Sequence, residues 1–257
     1  MENFVKHFES TAQEAAGSKE QFALIINNQA EWNKCRVDKF AACYYVPLRK
    51  LSMKIMLVIR LGCALITTIL LAGALYNAVS IKDFMLYYSH WSLLMLLFMF
   101  VSATATTLLV ARLERTNRYY VPCYVVCHRL LYNVAGTANL VSSAVYVIIL
   151  FLYKDSVRNP VNHVVHSFNS LLVIIEFAMN AIPMRLAHIY QPLLYTLGYC
   201  AFAATYHYTT GEKIYKCLPW DSQQEMAKIC FALMLILFVI YMLLYTIGFI
   251  KNKCLRL

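Results

Sequence analysis

Apolar positions along this chain do not alternate with polar ones. They gather into six runs, roughly 55–79, 84–110, 129–153, 163–182, 187–209 and 227–250, with short polar stretches between them. Each run is about 20 residues or longer, the length a helix needs to cross a hydrocarbon core of about 30 Å. The bilayer interior offers backbone groups no water, and these runs are too long and continuous for barrel strands, so helices are required. The pattern predicts an all-α fold: a polytopic six-transmembrane-helix bundle over 53–250, preceded by a cytoplasmic segment, 1–52, and followed by a cytoplasmic tail, 251–257.

An even number of spans puts both termini on one side, and the basic residues choose it, because cytoplasmic flanks carry the Lys and Arg excess. Of the 23 basic residues, eight precede the first span (Lys6, Lys19, Lys34, Arg36, Lys39, Arg49, Lys50, Lys54). Arg112, Arg115, Arg118 and Arg129 flank the second loop, Arg185 the fourth, and Lys251, Lys253 and Arg256 the tail. The opposite side holds only Lys82, Lys154, Arg158, Lys213 and Lys216. Both termini are expected in the cytoplasm, with the plasma membrane or the endoplasmic reticulum as the site of residence. Residues 1–50 lack a basic start followed by a short apolar stretch, so the first span is expected to act as signal and anchor together. Phe22, Leu24, Ile25 and Ile26 within 20–32 suggest a short amphipathic helix on the inner face.

Composition agrees: 61% hydrophobic and 14% charged residues, with a mean hydropathy of +0.56, exclude an ordinary soluble domain. Seven Gly and six Pro exclude collagen-like and low-complexity chains, and no fixed-period repeat is present. The formal charge of +10 does not indicate nucleic acid, because the basic residues sit between apolar runs and form no stripe with interleaved aromatics. Membrane lipids are the expected partners; no protein partner is legible, and no cofactor is expected.

The nine cysteines are an odd number, and only Cys217 falls clearly in a predicted outer loop, so most are expected as free thiols. Cys35, Cys43 and Cys254 lie in inner segments where acylation is conceivable. Cys123, Cys127 and His128 resemble half of a metal site with no matching second half.

Ionisable groups inside a span cost at least about 2.5 kcal/mol near the centre, so each needs a partner or a task. Arg60, early in the first span, and Glu176, late in the fourth, both sit about 8–9 Å from the inner boundary at 1.5 Å per residue. They are expected as a structural intramembrane pair, with proton or ion conduction as the alternative.

Four of the seven histidines, His90, His163, His166 and His207, fall at outer span ends. With Ser89, Asn162, Asn169, Ser170 and Tyr206 they predict a polar pocket in the outer leaflet. On the fourth span His163, His166 and Ser170 lie within about 60° of one another, with Asn169, Glu176 and Asn180 adjoining. A neutral imidazole can take the proton of a hydroxyl as it attacks a carbonyl, roles that Ser89 and His166 fit. Alternatively, three histidines could hold zinc with an open position for water, or the polar groups could simply bond between helices. The third span, with Asn133, Gly136, Thr137, Asn139, Ser142 and Ser143 at helical steps, reads as a packing helix.

Three stretches carry a resemblance. Tyr87-Tyr88-Ser89-His90-Trp91 is similar to the tyrosine-(tyrosine or phenylalanine)-threonine-histidine-tryptophan signature of the rolling stone family of animal multi-pass membrane proteins. Asn162-His163-Val164-Val165-His166, with Glu176 ten residues on, resembles the Asn-His-x-x-His and following Glu of the more distant androgen-induced (FAR-17a-type) membrane hydrolases. His207, Thr210-Gly211, Tyr215 and Trp220 are similar to a third segment of that group. The resemblance covers about residues 50–250. The hydrolase group implies a Thr nucleophile and a His base cleaving fatty acid esters of hydroxy fatty acids; by position these become Ser89, a departure that keeps the hydroxyl, and His166. Rolling stone implies instead a non-catalytic role in cell contact or myoblast fusion.

Overall fold

The computed structural model describes residues 37–112, 121–152, 160–215 and 218–254, and the stretch 20–32 lies outside them. The chain forms α1 (Arg49–Asn77), a short α2 (Ile81–Leu86), α3 (Tyr88–Arg112), α4 (Cys123–Leu152) and α5 (Pro160–Met179). A 3-10 turn (Leu186–His188), α6 (Tyr190–Thr210) and α7 (Gln223–Cys254) follow. Among the described residues the β-type pairing is one isolated bridge between Cys43 and Asn180.

Where the hydrophobic pattern predicts six spans, four helices among the described residues, α1, α3, α4 and α7, are long and apolar enough to cross a membrane. The described apolar stretch of α5 is the shorter His163–Met179. α6, at 21 residues, is diluted by Gln191, His207 and its tyrosines. Val58, Leu65 and Ile69 on α1, Phe98 and Val101 on α3, and Phe231, Leu235 and Phe238 on α7 all face outward and are exposed. A soluble monomer rarely tolerates so extended an apolar surface, whereas acyl chains do.

α4 is the central helix. It packs against α3, α5, α6 and α7, and every residue from Tyr132 to Asn139 is buried whichever way it points. A helix buried all round must be narrow, and Ala135, Gly136, Thr137 and Ala138 supply that. Three contacts fix the antiparallel register of α4 on α5. Ser143 donates to the His166 carbonyl oxygen at 2.9 Å; the Cα of Gly136 lies beside Val173; and Tyr132 lies within electrostatic reach of Glu176.

Residues 37–45, which the hydropathy pattern assigns to the amino-terminal segment, are packed into the bundle: Val37, Phe40, Ala41 and Cys43 are buried. The Cys43 N–H donates to Ser52 Oγ at 2.7 Å, and the Ser52 hydroxyl donates to the Cys43 carbonyl at 3.1 Å. The Tyr44 N–H donates to the Met179 carbonyl at 2.7 Å. Cys43 is only 3% exposed, which corrects its reading as an acylation candidate, because burial closes the thiol to an acyl donor. Cys35 lies outside the described residues, as does the side chain of Cys254.

α6 ends on Gly211 at φ 72°, ψ −2°, whose N–H bonds the His207 carbonyl. A Cβ in this left-handed conformation costs roughly 1–2 kcal/mol. Gly211→Val is therefore expected to destabilise by about that amount, read as a lower midpoint of thermal unfolding in detergent. An unchanged midpoint would refute the cap assignment.

Candidate functional site

Two clusters of ionisable and polar side chains stand at opposite ends of the bundle. At one end, the chain turns sharply between α2 and α3, and this turn leaves three α2 carbonyls without helical donors. His90 Nδ1 donates to the Phe84 carbonyl at 2.7 Å, Trp91 Nε1 to Met85 at 2.6 Å and the Tyr199 hydroxyl to Leu86 at 2.7 Å. His90 also stacks on Phe84, with centroids 4.2 Å apart. The His and Trp of the first motif thus cap a helix end. If neutral, the His90 ring carries its proton on Nδ1, because a carbonyl can only accept.

The third motif is a loop on the same end. His207 Nδ1 donates to the Glu212 carbonyl at 3.0 Å, and its ring lies 4.8 Å from that of Trp220. The Tyr206 hydroxyl donates to Glu212 Oε2 at 2.5 Å. The Tyr88 N–H donates to Tyr215 Oη at 3.0 Å, joining this loop to the first motif. Outside the helices, Lys213 bonds Asp221 at 2.5 Å and holds that carboxyl below its ordinary range. Asp221 is 82% exposed, so the pair contributes little to stability.

Between α4 and α5 lies the part of this end with chemistry to spare. His166 stacks on Tyr146 at 4.2 Å and 14°, while His163 meets the same ring edge-on at 5.4 Å. His90 and His163 are both within electrostatic reach of His166. The buried His166 Nδ1, Tyr146 Oη and Asn169 Oδ1 have no hydrogen-bond partner among the described residues.

Ser89 is half-buried and shares a face of α3 with Ser92 and Leu93. Leu93 clusters with Val165 of α5, so this face points toward the fifth helix. Among the described residues no hydrogen bond joins the Ser89 hydroxyl to His166. Ser170 is half-buried, and the side chain of Asn162 lies outside the described residues. The structure therefore brings His90, His163 and His166 together, and leaves Tyr206 and His207 with the 211–222 loop. Tyr146, missed in the sequence, is the ring on which both α5 histidines rest. Its three-residue step from Ser143 was the available signal.

At the other end stands the ion pair. Arg60 Nη2 meets Glu176 Oε1 at 2.6 Å, with the two side chains 0% and 1% exposed. Arg60 Nη1 donates to the Phe40 carbonyl at 2.8 Å, the Ala103 carbonyl at 3.2 Å and Thr107 Oγ1 at 2.6 Å. One guanidinium thus joins α1, α3, α5 and the 37–45 segment. Lys251, also unforeseen as a contact, donates to the carbonyls of Phe177 and Asn180, each at 2.7 Å, and of Ala178 at 3.3 Å. It thereby caps the α5 carboxyl end, and Tyr44 donates to its own carbonyl.

No three His, Cys, Asp or Glu side chains among the described residues are placed to hold a metal ion. Cys123 and Cys127 are exposed while His128 is fully buried, so that trio does not converge. No family model, characterised protein or solved structure matches the chain. Fold and surface define the class: a helical multi-pass membrane protein.

Proposed function

We propose that this chain is a six-span membrane protein of rolling stone type, with both termini cytoplasmic, whose histidine end hydrolyses a lipid ester. Ser89 is the nucleophile and His166 its general base. The observation that carries this reading is His166 itself: a half-buried imidazole, positioned by stacking on Tyr146, whose buried Nδ1 has no hydrogen-bond partner among the described residues. Proton abstraction from Ser89 lets its oxygen attack the ester carbonyl; the alcohol leaves with that proton, and water then releases the fatty acid. A positioned base contributes typically about 10²–10⁴-fold.

A lipid-like fluorophosphonate is expected to label the full-length protein at Ser89. Ser89→Ala is expected to abolish labelling and His166→Ala to slow it by about 10²-fold or more, with protease-protection topology unchanged. Labelling that survives both substitutions would remove the assignment.

A second reading is favoured by His90 and His207, which both spend a ring nitrogen on backbone carbonyls, as structural residues do. In it the protein is non-catalytic and acts in cell contact or fusion. Labelling would then be absent in the wild type, and His166→Ala would lower folded yield.

A further inference from the structure

Cys43 is closed to acylation by burial, yet two other thiols stand open at the same end of the bundle. α4 starts at Cys123, with the N–H groups of Val125 and Val126 donating to the Pro122 carbonyl at 3.0 and 3.2 Å. Cys123 and Cys127 are both free and exposed. Val126 and Leu130, 41% and 44% exposed, complete a set spaced i, i+3, i+4 and i+7, which on a helix is a single face.

The opposite face is taken. Val125 and His128 are buried, and the His128 ring meets that of Phe40 edge-on at 5.7 Å. α6 begins only at Tyr190, and its Gln191 Oε1 accepts from Asn133 at 2.9 Å. The first two turns of α4 run past that point, so the two thiols project away from the packed core with aliphatic side chains beside them. Height decides what they meet. Arg60 donates to the carbonyl of Phe40, the residue whose ring touches His128. Cys127 therefore stands near the depth of that guanidinium, and Cys123 lies one turn, about 6 Å, closer to the membrane boundary. Arg112, exposed at the end of α3, and the half-buried Arg129 hold that boundary at the headgroups. A thiol exposed at the cytoplasmic edge of a span is a position where long acyl chains are attached, and here the attached chain has an apolar helix face to lie along.

We propose that Cys123 and Cys127 are S-acylated, with long-chain acyl-coenzyme A as the donor. The proposal rests on the cytoplasmic orientation of the termini given above. The protein thiolate attacks the acyl carbonyl and a carbon–sulfur bond forms to Cys123 or Cys127. The bond to the coenzyme A sulfur breaks, and the proton lost by the protein thiol ends on the departing coenzyme A thiol. The acyl chains then cover Val126 and Leu130, the part of α4 that its helical neighbours leave open.

Acyl exchange on full-length protein from cultured animal cells tests this: free thiols are blocked, neutral hydroxylamine cleaves thioesters, and the thiols it frees take a maleimide–polyethylene glycol mass tag. The wild type is expected to gain two tags, Cys123→Ser and Cys127→Ser one each, and the double variant none. Cys43→Ser and Cys35→Ser/Cys254→Ser are expected to keep both. Peptide mass spectrometry of the wild type locates the thioesters without any variant, should the double variant not fold. Oxygen esters, such as an acyl group on Ser89, survive neutral hydroxylamine, so the tags report thioesters alone and their absence leaves the hydrolase reading standing. After hydroxylamine, Cys123 is expected to react with a membrane-impermeant maleimide once digitonin has opened the plasma membrane, and not in intact cells. Reaction in intact cells would overturn the orientation and this proposal with it. An untagged wild type of the expected orientation, or tags that persist in the double variant, would overturn acylation at this site alone.

Discussion

Replacing Arg60 by Met is expected to destabilise the protein by about 3–5 kcal/mol, because Glu176 is left as a buried charge without its counter-ion. The same substitution removes the donor to Phe40, Ala103 and Thr107, so the 37–45 segment loses its anchor as well. The pair resists salt screening, since neither member is more than 1% exposed. The double variant Arg60→Met/Glu176→Leu is expected to recover most of the loss, because two desolvated charges are exchanged for apolar groups of similar volume. Equilibrium unfolding in mixed micelles would measure both. A single-variant cost under about 1 kcal/mol, the range of an exposed ion pair, would show that water reaches the pair.

Lys251→Met should be the next most damaging change. It deprives the carbonyls of Phe177, Ala178 and Asn180, at the carboxyl end of α5, of their donor, and a hydrogen bond to a charged group is worth about 1.5–3 kcal/mol. It also deletes the ammonium 4.7 Å from the Tyr44 ring and 5.3 Å from that of Phe177. The bridge between Cys43 and Asn180 should therefore open. Cys43, buried in the wild type, is expected to alkylate with maleimide about tenfold faster, a change of ~1.4 kcal/mol in the local opening equilibrium. Site-resolved mass spectrometry separates it from the exposed Cys123 and Cys127. Unaltered Cys43 reactivity would mean that the bonds to Ser52, Arg60 and Met179 hold the segment without Lys251.

Much of the architecture was legible along the chain because hydropathy over about 20 residues is a local property. α1, α3, α4 and α7 coincide with four of the apolar runs. α5 and α6 show where that signal weakens: a helix lying against others need not be apolar all round, and Tyr88, Tyr195 and Tyr199 pack between α3 and α6 where lipid would favour aliphatic side chains. The equal depth of Arg60 and Glu176 was readable from residue counting, because helical rise is constant. Residues 37–45 were not, since a short segment without a 20-residue run has no hydropathy signature, and its burial depends on the groove it fills.

What the residues alone determined is the helical character, the membrane environment and the presence of polar groups at particular heights, because each follows from composition and fixed helix geometry. Which of those groups meet was decided by tertiary packing. His90 and His207, which the sequence places at the same outer level as His166, are taken up by backbone carbonyls that only the α2–α3 corner and the turn after α6 bring within reach. His166 stacks instead on the ring of Tyr146 across the interface, and its Nδ1 has no hydrogen-bond partner among the described residues. The azimuth of one helix against another depends on side chains far apart in the chain, and no local pattern encodes it.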